Sequence, residues 1–147
     1  MSWIVHQKGY TATELVVALA IWAAIAGAAV PAASGIFKQH QLATTARRIG
    51  FEIVRTRMQA VGQNRYMRIA LLGNAQYQRQ SSEDGVTFVA DGEVVTLPTG
   101  FTVSAGTTGT PRFDRQGLGT ATTIITVNSP RGQQLVTTTI LGGVKIS

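Results

Sequence analysis

From Leu15 to Ala33 the chain reads LVVALAIWAAIAGAAVPAA, nineteen residues without a charge and with the Trp22 indole as the one strong hydrogen-bonding side chain. At 1.5 Å per residue a helix over this run spans roughly 28 Å, about the thickness of a bilayer hydrocarbon core, so the segment can cross a membrane. A short leader, MSWIVHQKG, precedes it with Lys8 as its only charge, and YTATE then sets Glu14 directly against the apolar run. Lys8 on the near side, with no Lys or Arg before Lys38 on the far side, points to a cytoplasmic N-terminus. Two plainer readings compete. One is a secretory signal peptide cut among Ala26, Ala28, Ala32 and Ala33, although the run exceeds the usual apolar length and an acid sits where positive charge is wanted. The other is a simple anchor in which Glu14 is an interfacial carboxylate; at the bilayer centre such a group costs roughly 2.5–3.5 kcal/mol and calls for a cationic partner.

The rest of the chain reads as an ordinary folded unit. Of 147 residues 44% are hydrophobic and 14% charged, which excludes a disordered tail or a highly charged nucleic-acid arm. With no Cys, neither a disulfide framework nor a thiolate metal site is available. After Ser34-Gly35, the apolar positions Ile36, Phe37, Leu42, Ala46, Ile49, Ile53 and Ala60, flanked by Ala43, Gly50, Val54 and Val61, recur at helical spacing. Lys38, Arg47, Arg48, Arg55 and Arg57 occupy the other face, with Glu52 among them. A helix from about Gly35 to Gly62 follows, collinear with the apolar run and stopped by Gly62 and Asn64.

Beyond Asn64 the composition turns to Thr, Val, Ile and Gly. Candidate strands are Tyr66–Leu72, Gln76–Gln80, Val86–Ala90, Glu93–Leu97, Phe101–Ala105, Thr122–Asn128, Gln133–Leu141 and Val144–Ile146. Turns are expected at Gly73-Asn74, Asp84-Gly85, Asp91-Gly92, Pro98–Gly100 and Pro130–Gly132, and Asp91-Gly92 reads as the clearest hairpin. One long helix followed only by strands predicts an α+β fold, with an antiparallel sheet covering the helix's apolar face.

Lys8-Gly9, then Tyr10-Thr11-Ala12-Thr13-Glu14, then the apolar run with Pro31 in it, resembles the start of type IV pilins and type II secretion pseudopilins. Thr13 stands where an aliphatic residue is commoner, and Tyr10 where Phe is usual. The resemblance implies a prepilin leader over residues 1–9, cleavage by prepilin peptidase after Gly9, and N-methylation of the new N-terminus at Tyr10. It also implies a filament-core helix over 10–34 bent at Pro31, an amphipathic continuation over 35–64, and a β-rich head over 65–147. In that family Glu14 would pair with the N-terminal ammonium of a neighbouring subunit in the filament. Phe113-Asp114-Arg115-Gln116-Gly117, the pair TTIITVNSPRGQQLVTTTI and the closing GGVKIS are similar to the GspH/FimT branch. There an F-x-x-x-G turn precedes two long strands and a G-R-x-R-like ending. Here Gly142-Gly143-Val144-Lys145 keeps the first glycine and replaces both arginines. The implied protein is a minor pseudopilin or minor pilin, anchored in the bacterial inner membrane with a periplasmic C-terminal domain. Its implied partners are other pilins or pseudopilins, the peptidase and the membrane.

Catalysis and metal binding find little to work with. His6 and His40 are the only imidazoles, and His6 would leave with the leader, so no catalytic triad or histidine metal cluster can be built in one subunit. Glu83-Asp84 and Asp91 with Glu93 offer oxygen ligands, but their Gly neighbours mark them as turn residues. No phosphate loop, dinucleotide fingerprint or nucleophile elbow is present, so no enzyme, cofactor or metal is expected. The cationic excess, 13 Lys+Arg against 7 Asp+Glu, keeps an alternative open. A DNA-binding minor pilin would gather Arg47, Arg48, Arg55, Arg57 and Lys145 on one face, whereas in a structural subunit they are a solvated face or partner contacts. A secreted β-rich domain behind an ordinary signal peptide is the third reading.

Overall fold

The computed structural model describes residues 11–147, apart from the side chains of residues 28–36. The chain divides after Phe37 into two compact units. Helix α1, Ala12–Gly62, contributes to both.

In the first unit, Leu15, Val16, Val17, Leu19, Ile21, Trp22 and Ile25 are each more than half exposed. At 100° per residue these positions lie all around the helix, so no polar face separates them. Among the described residues no helix is long and apolar enough to cross a membrane. The expected bend at Pro31 and the end of the apolar run at Ala33 fall on side chains outside the described residues.

The second unit is built on Leu42, Ala46, Ile49, Ile53 and Ala60, one buried stripe of α1. Asn64 ends the helix: it adopts a left-handed backbone, φ 52°, while Arg65 N–H donates to Ala60 O and Asn64 N–H to Val61 O. This paired arrangement satisfies the last helical carbonyls, and Asn is one of the few residues that enters it cheaply.

The strands are β1 Tyr66–Leu71, β2 Gln76–Ser82, β3 Val89–Thr96, β4 Thr102–Ala105, β5 Arg112–Phe113, β6 Thr123–Ser129, β7 Gly132–Thr138 and β8 Val144–Ile146. They form two antiparallel sheets instead of the single expected one, in the orders β3-β2-β1-β5 and β4-β6-β7-β8. Met67, Ile69, Tyr77 and Phe113 from the first sheet join Val103, Ile125, Val127 and Val136 from the second in one core with the helix stripe. Alternation along β6, with Thr123, Ile125 and Val127 buried and Ile124 exposed, is the period-two pattern of a half-buried strand.

The expected hairpin at Asp91-Gly92 does not form. Val86–Ala90 and Glu93–Leu97 give way to the single strand β3, where Gln80 pairs Ala90 and Gln78 pairs Val94, leaving Asp91, Gly92 and Glu93 opposite Arg79 alone. Arg79 Nε and Nη2 donate to Asp91 O at 3.1 and 2.8 Å, so a guanidinium satisfies a carbonyl at a bulge of three residues against one. The chain reverses earlier, between β2 and β3. There Asp84 Oδ1 accepts from the Ser82 hydroxyl and from the Val86 and Thr87 amides, and Gly85 takes φ +73°. The two-residue link Pro130-Arg131 between β6 and β7 agrees with expectation, as does β8.

Ile53→Ala, at a fully buried site, should cost about 2–5 kcal/mol in urea denaturation, whereas Met58→Ala, on the exposed flank, should stay within about 0.5 kcal/mol. The Ser82 hydroxyl and the two amides hold the Asp84 carboxyl well below the usual carboxylate range. A depressed folded pKa contributes stability that is full above the unfolded value of about 4 and is lost as pH falls below it. The thermal midpoint of Asp84→Asn should therefore fall less steeply than that of the parent chain as the pH is lowered from 5 towards 2.

Candidate functional site

The site residues expected from sequence begin with Gly9 and Tyr10, which lie outside the described residues. Glu14 sits in the first turn of α1, and its geometry is specific. Thr11 N–H donates to Glu14 Oε2 at 3.2 Å, and Glu14 N–H donates to Thr11 Oγ1 at 3.3 Å. This reciprocal pair is a capping box, and the spacing T-x-x-E that encodes it was visible in the sequence. Glu14 thus has a role within its own chain, closing a helix end, and its side chain remains exposed. Pro31, expected to assist assembly, lies where side chains are outside the described residues.

Of the residues expected on a cationic face, Arg47, Arg48, Arg55 and Lys145 are exposed and Arg57 is half-buried. Arg48 and Arg55 line a cavity against β2 and β3, whereas Arg47 lines a separate one with Phe51, Val54, Val144 and Ile146. Lys145 is exposed on β8. Arg57 turns inward: Nε donates to Gly117 O at 2.9 Å. A Cβ added at Gly142 would overlap the same arginine side chain, and one at Gly117 would stand 2.8 Å from Val61. Both glycines also hold left-handed backbones, φ +77° and +80°. Gly117 and Gly142 therefore leave room for one helix arginine, which ties α1 to the loop before β6 and lies against Gly142.

Other arginines are used in the same manner. Arg112 Nη2 donates to Gly85 O, and Arg115 Nη2 to Glu83 O at 2.6 Å, so both pin the β2–β3 turn. Arg68 lies 4.2 Å from the Phe88 ring centroid and donates to Gln80 Oε1. A guanidinium offers several donors in a rigid fork and so serves as a staple for backbone carbonyls, which is where much of the basic excess goes.

What the sequence periodicity did not separate is a second apolar stripe on α1. Phe51, Val54, Met58 and Val61 are exposed, at spacings of three and four, and Phe51 and Met58 reach 75% and 70% exposure. Val54 and Val61 were expected to flank the core stripe. They instead belong with Phe51 and Met58, a grouping that a separate count of the i, i+3, i+7 positions from Phe51 would have found.

No protein-family model matches the chain, and no curated protein matches it in sequence. Solved structures do match in fold. The minor pseudopilin EpsH from the type 2 secretion system of Vibrio cholerae superposes with a TM-score of 0.59 at 10% identity, over 73% of this chain and 96% of that one. The type IV minor pilin FimU of Pseudomonas aeruginosa PAO1 gives 0.62 at 12% identity, over 75% and 90%. A second crystal form of FimU gives 0.58 at 14% identity, over 72% and 92%. The chain has a pilin-like α+β fold.

Arg57→Ala should lower stability by about 1–3 kcal/mol, the range for removing a charged hydrogen-bond donor from a partly buried carbonyl. Arg131→Ala, at an exposed hairpin tip, should leave the urea midpoint unchanged.

Proposed function

We propose that this chain is a minor pseudopilin or minor pilin of the GspH/FimT kind, a structural subunit of a type II secretion pseudopilus or type IV pilus and not an enzyme. The observation that carries the proposal is the pairing of two things in one chain. One is a helix start, capped by Thr11 and Glu14, whose apolar side chains are exposed on every side. The other is a second unit with the fold of solved minor pilins and pseudopilins. Exposed apolar surface of that extent needs lipid or other apolar helices around it. In this reading prepilin peptidase cuts after Gly9 and Tyr10 becomes the methylated N-terminus. The helix resides in the inner membrane with the β-rich unit in the periplasm, and then packs in the filament core. The outer stripe Phe51-Val54-Met58-Val61 extends the packing surface towards neighbouring subunits.

The capping box gives Glu14 a structural role that competes with its expected pairing to a neighbour's N-terminal ammonium. Gln preserves a capping box but carries no charge, so the two roles separate. Glu14→Gln should be processed and fold normally yet fail to enter filaments; incorporation at the wild-type level would reduce Glu14 to a cap. Mass spectrometry of membrane fractions should find a mature chain beginning at Tyr10, and Gly9→Ala should abolish it. A mature start near Ser34 would instead support a secreted domain behind an ordinary signal peptide. The DNA-binding alternative now rests on Arg47, Arg48, Arg55 and Lys145. Loss of binding with a steep salt slope in gel shifts would support it, and salt-independent absence of binding would end it.

A further inference from the structure

Strand β8 is an outer strand of the second sheet, and among the described residues no strand pairs its far edge. Which backbone groups face that edge follows from the ladder. Leu135 N–H donates to Ser147 O at 2.7 Å and Ser147 N–H donates to Leu135 O at 3.0 Å, a mutual pair. Mutual pairs alternate along an antiparallel ladder, so Lys145 bonds inward to Thr137 while the N–H and C=O of Val144 and Ile146 point away from β7. The side chains of the same two residues turn towards α1, because a Cβ at Gly50 would meet Val144 Cγ1 and Ile146 Cδ1 at 3.4 Å. By alternation Lys145 projects from the opposite face, where it is exposed.

Beside this edge lies an apolar groove of about 190 Å³, lined by Arg47, Gly50, Phe51, Val54, Val144 and Ile146. Phe51 is 75% exposed, so the helix side of the groove is open. A strand laid next to β8 at the usual spacing of about 4.8 Å would carry its inward side chains towards Phe51 and Val54. We propose that β8 and this groove are a docking site for an extended segment of another protein, added as a further antiparallel strand, with an acidic residue between two apolar ones. An unpaired edge selects an extended chain, since a helix has its own backbone groups satisfied and a lipid has none to offer. Apolar side chains opposite Val144 and Ile146 would enter the groove. The residue between them would stand opposite Lys145 in a non-hydrogen-bonded pair, where side chains are closest and opposite charge is favoured. Arg47, on the helix side, adds a second cation to the rim. A second copy of this chain is a poor occupant, because the symmetric pairing of two β8 strands sets Lys145 against Lys145. The inference does not depend on assembly into filaments.

The test uses the full ¹⁵N-labelled chain in uncharged detergent micelles, with amide hydrogen exchange as the readout. In the free protein the Val144 and Ile146 amides should exchange faster than those of Lys145 and Ser147. The peptide Thr-Val-Glu-Val-Thr, blocked at both ends, should protect Val144 and Ile146 saturably. The same peptide N-methylated at both valines keeps its side chains but loses the donors that face β8, and should give no protection. Thr-Val-Lys-Val-Thr should bind about fivefold more weakly than the Glu peptide, and Lys145→Glu, at an exposed position, should reverse that preference. Phe51→Ser should weaken binding of the Glu peptide at least threefold with the fold intact. Slow exchange of Val144 and Ile146 in the free chain, no saturable protection, equal binding of the N-methylated peptide, or a charge preference that Lys145→Glu leaves unchanged would each overturn the proposal. So would protection of the same amides that grows with protein concentration alone, which would make a second copy the occupant.

Discussion

One buried stripe of helix, Leu42 to Ala60, is the constraint on which the second unit depends. Its small members matter as much as the large ones. Ala46 and Ala60 are fully buried, and a Cβ at Gly50 would meet Val144 and Ile146 at 3.4 Å, so β8 comes close to the helix surface. Ile49 and Ile53 are fully buried in the core to which both sheets contribute. Neither sheet could bury its inner face alone, since each has four short strands and an exposed outer surface. Breaking the stripe removes the shared wall from both at once.

Arginine supplies the second organising principle. Strong net positive charge is usually read as an affinity for anions, yet Arg57, Arg79, Arg112 and Arg115 spend their donors on carbonyls of this chain. Each closes a place where irregular backbone would leave an acceptor unmatched: a glycine turn, a bulge, or a tight reversal. The charge is a by-product of a geometric need for forked, long-reaching donors. Arg47, Arg48 and Arg131, by contrast, are exposed.

Much of the fold is legible in the sequence because its signals are local. The helix face at Leu42, Ala46, Ile49, Ile53 and Ala60, the Asn64 stop, β1, β6 and β8 follow from periodicity and turn chemistry. The misreadings share one cause, a tertiary partner that overrode a local preference. Asp91-Gly92 has the composition of a hairpin turn, but Arg79, twelve residues earlier, converts it to a bulge. The two-residue strand β5 carries no detectable pattern and exists because β1 offers Met67 and Arg68 as partners. The division into two sheets depends on pairing order, which composition does not encode. At the candidate site, the T-x-x-E cap was available from spacing alone, whereas the inward turn of Arg57 was not, because the glycines that admit it lie 60 and 85 positions further along the chain.

The bulge in β3 has a bearing on solubility. β3 is an outer strand of its sheet, with one side of its backbone unpaired, and an open strand edge invites pairing with another chain. Three residues opposite one distort that edge, and Glu93 is exposed within the distortion. A second strand approaching in register would meet an interrupted ladder, so uncontrolled edge-to-edge stacking is discouraged.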